Sequence, residues 1–137
     1  MQLAIDGILE AALYAANLDA AEGFYGGVLG LRRIARGHDR HVFYAVGGSV
    51  LLIFNPAETE HPPGPGALPV PPHGARGPGH VCLRVPAAGL EEMAARLRAA
   101  GVVIESDFRW PGGARSIYVR DPAGNSVEFA AAELWGL

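Results

Sequence analysis

Three side chains that could bind a metal ion occupy matching places in two similar halves of the chain. Glu10 and His80 each stand near the start of a predicted strand, and Glu128 lies on the last predicted strand. Alternation places each of them on the strand face opposite the aliphatic residues, so we expect all three to point into one concavity. Carboxylate oxygen and imidazole nitrogen suit a hard or borderline divalent ion, and three protein ligands leave positions open for substrate.

Each of these residues also has an ordinary structural role open to it. A single strand glutamate is usually solvated, and a single histidine is more often a hydrogen-bonding residue than a ligand. Their shared position in a repeat favours the metal site. When Ser126-Val127-Glu128 is aligned with Ser49-Val50-Leu51, Leu51 takes the fourth position and leaves it apolar.

Two further residues are candidates for proton transfer. Tyr118 precedes Glu128 on the same strand parity, where a phenol could donate or accept a proton, although an ordinary strand aromatic is an equal alternative. His73 stands just before the second half of the chain. Cys82 is the single cysteine, which excludes an internal disulfide, and we expect it to be a small buried hydrophobe.

The elements that must position these residues follow one plan twice. Asn17 predicts a helix start, Gly30 and Gly101 predict helix ends, and Gly47-Gly48 predicts a hairpin turn. Each half is therefore predicted to be βαβββ, in an α+β fold. The predicted strands span 10–16, 41–46, 49–54, 80–85, 102–106, 115–120 and 126–130, and the predicted helices span 18–29 and 90–100.

A proline-rich segment joins the two halves. Residues 55–79 contain eight of the eleven prolines, which disfavour a helix or a central strand from 62 to 72. We expect 62–70 to be exposed and mobile, and His73 to be firmly placed near the rim of the concavity. The predicted organisation is one domain, with module one at 8–54, the linker at 55–79, module two at 80–130 and a tail at 131–137.

Composition limits the class of protein. The net charge of −3 and the scattered Lys and Arg argue against a nucleic-acid surface. The apolar runs are too short to span a membrane, and the single cysteine fits a reducing compartment, so a cytoplasmic protein is expected. Open sheet edges and the apolar ending Leu134-Trp135-Gly136-Leu137 predict a homodimer.

Several motifs resemble the vicinal oxygen chelate superfamily, which includes glyoxalase I, extradiol dioxygenases, methylmalonyl-CoA epimerase, fosfomycin-resistance transferases and bleomycin-binding proteins. The resemblance implies two βαβββ modules that form a half-barrel around one central cup, with Glu10, His80 and Glu128 at three ligand positions. It is carried by residues 13–14, 17–21, 24–25, 28–31, 77–81 and 118–128.

The same resemblance bears on the reaction. The Tyr-x-x-Asp-Pro-x-Gly-x-x-x-Glu spacing from Tyr118 to Glu128 matches the extradiol dioxygenase signature, whose upstream histidine is absent unless His73 or His41 replaces it. The dioxygenases carry His where Glu10 stands, and glyoxalase I and the epimerase carry a ligand where the alignment places Leu51. The departure at Glu10 leaves the identity of the metal open, and the missing fourth ligand at Leu51 argues against the activities of glyoxalase I and the epimerase.

The resemblance implies a metal-dependent enzyme that chelates a small substrate through adjacent oxygens, with Fe, Mn, Ni or Zn as the ion. Oxygenative, extradiol-type cleavage is slightly favoured, because three ligands leave room for a bidentate substrate and dioxygen. One alternative is a metal-free binding protein of the bleomycin-sequestering type, in which Glu10 and Glu128 acidify a pocket for a cationic ligand. Another is a glyoxalase-like lyase or isomerase.

Overall fold

The chain folds into two compact units built on one α+β plan. The computed structural model describes residues 3–137, and the two units are Met1–Ala75 and Arg76–Leu137. Each unit contains one four-stranded sheet in which the first strand pairs in parallel with the last. The predicted α+β class and the two-module organisation are therefore confirmed. In residues 3–137 no helix is long and apolar enough to cross a membrane.

The first unit has a sheet with two short helices. Its strands are arranged in the order β1-β4-β3-β2 once they are numbered along the chain as β1 (Glu10–Tyr14), β2 (Arg32–Gly37), β3 (His41–Val46) and β4 (Ser49–Phe54). Its helices are α1 (Leu18–Glu22) and α2 (Pro56–Thr59), and a π-helical turn, Gly23–Val28, follows α1 directly. The predicted hairpin of β3 and β4 is confirmed to the residue.

The helix after β1 begins where the sequence predicts and then changes its winding. The Asn17 side chain accepts a hydrogen bond from the Ala20 N–H at 3.0 Å, which is an N-cap. Gly26 lies close to the Tyr44 ring, since a Cβ at Gly26 would be 3.6 Å from it. Gly30, with φ of 71°, ends the segment. One helix was predicted over 18–29, whereas the glycine-rich half winds as a π-helix against β3.

The second unit repeats the arrangement with a longer helix. Its sheet has the order β5-β8-β7-β6, with β5 (His80–Arg84), β6 (Ser106–Arg109), β7 (Arg115–Arg120) and β8 (Ser126–Ala130). Its α-helix is α3 (Leu90–Ala99), and short 3₁₀ turns lie at Ala87–Gly89 and Ala132–Trp135. The predicted helix and the hairpin of β7 and β8 are confirmed.

The strand predicted at 102–106 is wrong. Residues 102–105 are irregular, and the strand begins at Ser106. Gly101 ends α3 with φ of 76°, and the Val102 N–H bonds back to the Leu97 carbonyl at 2.9 Å. Because this backbone group caps the helix, it is not available to a sheet ladder.

The edge strand β2 gave no clear signal in the sequence. It reads Arg-Arg-Ile-Ala-Arg-Gly, and Ile34 is 48% exposed. A bulge between Arg33 and Ala35 also interrupts its pairing with β3. Hydrophobic alternation marks a strand with one buried face, which this edge strand lacks.

The sheet register corrects the alignment of the two halves. The Val50 N–H bonds to the Leu9 carbonyl in the first unit, and the Ser126 N–H bonds to the Gly79 carbonyl in the second. Glu10 thus pairs with Val50 as His80 pairs with Ser126. Two residues further along, the counterpart of Glu128 is Leu52, and not Leu51 as predicted.

A shift of one residue turns a side chain to the other face of the sheet. Leu51 is 2% exposed and stands opposite Tyr44, whose ring packs 6.1 Å from that of Tyr25 in the π-helical turn. It therefore belongs to the helix side. Leu52 pairs with the exposed Ala12 on the other face. The fourth position remains apolar, but a different leucine fills it.

The proline-rich segment is attached to the first unit at its end. Residues 62–72 form no helix or strand and are exposed, as predicted, while their mobility stays a prediction. Helix α2 occupies the start of the segment, where Asn55 caps it. The His73 N–H bonds to the Thr59 carbonyl at 2.9 Å. The firm placement predicted for His73 is thus achieved by backbone as well as side-chain contacts.

An arginine holds the β6–β7 hairpin to the helix of the second unit. The Arg115 guanidinium donates to both oxygens of Asp107 and to Glu91 on α3, at 2.7 to 2.8 Å. The same hydrogen bonds hold the pKa of the Asp107 carboxyl below its ordinary value. The strand that follows Arg115 carries two residues of the site described below.

We expect Leu51→Glu to lower the free energy of unfolding by about 3–5 kcal/mol, because it leaves an unpaired charge on the helix side. Leu52→Glu should cost less, since its carboxylate can reach solvent past the exposed Ala12. Urea unfolding measures both, with Leu51→Met as the volume-matched control. A larger loss for Leu52→Glu would contradict the register.

The tail supports the dimer predicted from the sequence, which stays a prediction. Trp135 is 80% exposed and Leu137 is 85% exposed in the single chain. We expect sedimentation at micromolar concentration to give twice the 14.3 kDa chain mass. Deletion of 134–137 should weaken the association. A mass near that of one chain would refute the dimer, and an unchanged deletion variant would show that the tail does not cause it.

Candidate functional site: a buried carboxylate in the second unit

A buried carboxylate lies at the centre of the exposed side of the second sheet. Glu128 is only 5% exposed, although it is on the sheet face opposite the helix. Its strand, β8, lies between β5 and β7, so Cys82 and Tyr118 are its direct cross-strand neighbours. Val127 and Phe129 point to the other face and are fully buried in the core. A charge in this place requires compensating hydrogen bonds.

Ser116 and Trp110 supply part of that compensation. The Ser116 hydroxyl donates to Glu128 Oε2 at 2.6 Å, and it accepts from the Trp110 indole N–H at 2.8 Å. Ser116 is completely buried, whereas Trp110 is 39% exposed at the end of the hairpin. The two hydrogen bonds thus run in series, from Trp110 to Ser116 and from Ser116 to one oxygen of the Glu128 carboxylate.

The other oxygen of Glu128 faces an imidazole. His80 Nε2 lies 3.3 Å from Glu128 Oε1, and His80 Nδ1 lies 3.1 Å from the Ser126 carbonyl oxygen. A carbonyl only accepts, so Nδ1 carries a proton in that bond. Nε2 then either carries a second proton and pairs with Glu128, or directs its lone pair at the carboxylate. The second arrangement requires a proton on the carboxyl group or a cation shared by the two groups.

The spacing of this pair also fits two ligands of one ion. Two donors at about 2.1 Å from a metal, at neighbouring corners of its coordination sphere, are separated by roughly 3.0–3.4 Å. The bond from Nδ1 to a backbone carbonyl is the contact that usually orients a ligating histidine. Within residues 3–137, however, no three His, Cys, Asp or Glu side chains form a group that could hold a metal ion.

The third predicted ligand belongs to the other unit. Glu10 is exposed at the start of β1 and shares a sheet face with Ala12 and Leu52. This is the face that corresponds to that of His80 and Glu128, as strand parity predicts. That Glu10 binds the same ion stays a prediction.

Tyr118 lies within the site as a donor. Desolvation, and then the charge of Glu128 and a hydrogen bond to it, raise the pKa of the Tyr118 hydroxyl. Its ring is stacked 6.1 Å from His80 on one side and 6.0 Å from Phe108 on the other. At neutral pH the hydroxyl is therefore protonated, and it donates to Glu128 rather than acting as a base.

The prediction that Cys82 is a buried hydrophobe is wrong. Cys82 is exposed on the same strand face as His80 and stands opposite Glu128. Alternation along β5 predicts this face, whereas the cysteine residue type alone suggests burial. The pKa of its thiol is raised to about 12 by desolvation, by the charge of Glu128 and by a hydrogen bond to it. At neutral pH it is a protonated thiol and a poor nucleophile.

His73 lies in the first unit, in a cluster of aromatic rings. Its Nδ1 is 2.7 Å from the Tyr14 hydroxyl, and its ring meets Phe54 edge-on at 4.6 Å. His41 stacks on Phe43 nearby at 4.2 Å. Burial, followed by the charges of Arg40 and Arg36, lowers the pKa of His41. These contacts anchor His73, and its catalytic role stays a prediction.

An open cavity elsewhere in the second unit does not include any of these residues. It has a volume of about 590 Å³ and lies between α3 and the β6–β7 turn. It is lined in part by Leu90, Arg109 and Glu133. Arg115 and Glu91 also border it, and both are already engaged in the ion pairs that hold the hairpin. The cavity therefore offers no chemistry comparable to that around Glu128.

Comparison with known proteins decides the family. The model of the Glyoxalase/Bleomycin resistance protein/Dioxygenase superfamily matches residues 7–129. The chain belongs to this superfamily. The resemblance noted in the sequence is thereby confirmed.

Solved structures of the superfamily show the same fold. A protein named lactoylglutathione lyase, from Agrobacterium tumefaciens, is 42% identical, with a TM-score of 0.92 over 97% of this chain and 98% of that one. TioX from Micromonospora sp. ML1 is 25% identical, with a TM-score of 0.71 over 91% and 98%. Fosfomycin resistance protein FosX from Mesorhizobium loti, 17% identical with a TM-score of 0.64 over 94% of both chains, shows the fold alone. Among curated proteins, none matches the chain.

The sequence favours an ordinary structural role for Ser116 and gives no signal for Trp110, so the hydrogen bonds that join them to Glu128 were not predicted. Ser116 has the same strand parity as Tyr118, so its face was predictable. Its bond to Glu128 was not, because the two residues are diagonal neighbours on adjacent strands and no local pattern records that contact. Trp110 lies in a turn, where the direction of a side chain has no periodic signal.

The raised pKa of Cys82 predicts slow alkylation by iodoacetamide at pH 8, despite the exposure of the residue. Glu128→Gln removes the neighbouring charge, so the thiol pKa falls. The thiolate fraction at pH 8 then rises about tenfold for each pH unit by which the thiol pKa falls. Mass spectrometry over time measures the rate. Glu92→Gln on the exposed side of α3 is the control. Equal rates for the wild type and Glu128→Gln would contradict the contact.

Proposed function

We propose that this protein is a metal-dependent lyase or isomerase that acts on a small substrate with adjacent oxygen atoms. The observation that supports it is the pair of His80 and Glu128, whose facing donor atoms lie 3.3 Å apart, with the carboxylate buried and the imidazole open to solvent. The 42% identity to a protein named lactoylglutathione lyase favours lyase chemistry over the other reactions of the superfamily.

In this proposal His80 and Glu128 hold a divalent ion, and Glu10 supplies the third ligand. The ion, when bound, acts as a Lewis acid on an oxygen of the substrate. The identity of the metal is left to experiment among Fe, Mn, Ni and Zn.

The protein's own groups around the proposed ion have separate roles. Glu128 Oε2 accepts the Ser116 hydroxyl, so Oε1, which faces His80, is the atom that would hold the ion. The Tyr118 hydroxyl, whose pKa is raised, stays protonated at neutral pH and donates to Glu128, so it supplies a hydrogen bond to the carboxylate rather than a base.

Extradiol-type oxygenation is the second candidate, and the register favours it. Leu52, the counterpart of Glu128 in the first unit, offers no ligand atom. Three protein ligands leave more positions for a bidentate substrate and a second molecule than four would. The spacing from Tyr118 to Glu128 also fits this chemistry.

Metal analysis tests the proposal directly. Purified protein dialysed against Fe, Mn, Ni or Zn should retain about one ion per chain. Glu128→Gln and His80→Ala should each lower the affinity by more than the roughly 10- to 100-fold loss typical of outer contacts. Glu10→Gln tests the third ligand, and Glu92→Gln is the matched control. A chain that takes up none of these metals would reduce the function to binding alone.

Substrate assays separate the two reactions. A lyase of the proposed kind should interconvert lactoylglutathione with glutathione and the matching 2-oxoaldehyde, so that the thioester absorbance appears when those two reactants are supplied in the absence of oxygen. An oxygenase should instead consume dioxygen with a catechol and be silent without it. Turnover of neither substrate by the metal-loaded protein would show that the substrate class is different.

A further inference from the structure

The two oxygens of Glu128 have different surroundings. Oε2 accepts the Ser116 hydroxyl at 2.6 Å, and Oε1 faces His80. The Ser116 hydroxyl has one proton, and the indole N–H of Trp110 is a donor only. The 2.8 Å contact from Trp110 therefore fills an acceptor position on Ser116 Oγ and directs its proton to Glu128. The hydrogen bonds run in one direction, from Trp110 through Ser116 to Glu128.

We propose that Trp110 and Ser116 are positioning residues for Glu128, which fix its carboxylate so that Oε1 is presented to the ligand beside His80. We call Trp110, Ser116 and Glu128 together the Trp110 relay. The effect on the ion rests on the proposed metal function. The relay itself rests only on the hydrogen bonds within the second unit.

The surroundings of the relay resist reorientation. Ser116 is 0% exposed, so its hydroxyl has no solvent to turn to. The Trp110 ring packs on Phe108 at 4.9 Å, and its backbone closes the hairpin turn through bonds to Ala114 and Gly113. Arg115 ties the hairpin to α3. Rotation of either side chain would break the hydrogen bond that Ser116 makes to Trp110 or to Glu128, which leaves a buried polar atom without that partner.

The relay also connects a buried group with the surface. Trp110 is 39% exposed, whereas Glu128 is 5% exposed. A change of charge or ligand at Glu128 alters the Ser116 bond and therefore the indole N–H. Trp110 is thus a spectroscopic reporter for the occupancy of the site. The other tryptophan, Trp135, is 80% exposed in the tail and provides an internal reference.

The first test uses metal-free protein and the two indole ¹⁵N–¹H resonances. Trp135→Phe identifies the signal of Trp110, which should lie downfield because of its hydrogen bond. Ser116→Ala should move that signal upfield, and Glu128→Gln should move it as well, since the serine proton loses its charged acceptor. A Trp110 signal that ignores Glu128→Gln would overturn the relay.

The second test measures Zn²⁺ affinity by competition with a chelator. Ser116→Ala should lower the affinity about 10- to 100-fold, and Trp110→Phe, which keeps the ring but removes the N–H, should lower it less. Ser116→Thr retains the hydroxyl and should restore most of the affinity. Trp135→Phe should leave it unchanged. Thermal unfolding of each variant identifies any loss that is merely one of stability.

The outcomes separate the relay from the proposed function. If the wild type binds none of Fe, Mn, Ni and Zn, the metal function fails, and the indole resonance of the metal-free variants alone decides the relay. If the wild type binds Zn²⁺ and both Ser116→Ala and Trp110→Phe bind it equally well, the positioning role is overturned while the metal function stands.

Discussion

The buried carboxylate of Glu128 is the constraint on which the second unit depends. A charge that is 5% exposed between two strands is stable only when its neighbours donate to it or share a cation with it. The surrounding positions are filled accordingly, with a hydroxyl, a phenol, a thiol and an imidazole on one sheet face. The opposite face of the same strands is aliphatic and forms the core with α3. Alternation along β8 thus places Glu128 on the polar face of the sheet and Val127 and Phe129 on the face that forms the core.

The corresponding face of the first unit carries different side chains. Leu52 replaces the carboxylate, and Phe43 and Phe54 stand where the second unit has Tyr118 and Ala130. Leu52 is uncharged and needs no compensating hydrogen bonds. The face is instead filled by aromatic contacts among Phe54, His41 and His73. The repeat therefore preserves the backbone pairing and divides the side-chain roles between its halves.

Membership of the superfamily fixes the fold more firmly than the reaction. The backbone plan tolerates an acid or an imidazole at one register position, as Glu10 and His80 show, and an apolar residue or an acid at another, as Leu52 and Glu128 show. Chemistry is then decided by which oxygens and nitrogens face each other and by what holds them there. In this chain the best-defined contacts of that kind lie around Glu128. The proposed function and the Trp110 relay are therefore both argued from the contacts of this residue.

The sequence by itself determined most of the element types, the repeat and the strand parity of Glu10, His80 and Glu128, because periodicity records which face a side chain takes. It could not set the strand register, so Leu51 was chosen where hydrogen bonding selects Leu52. Alternation along β5 predicts the face of Cys82, but only the pairing of β5 with β8 puts it opposite Glu128. The contacts of Ser116, Trp110 and the Tyr14–His73 pair depend on residues far apart in the chain, and only tertiary structure brings such groups together.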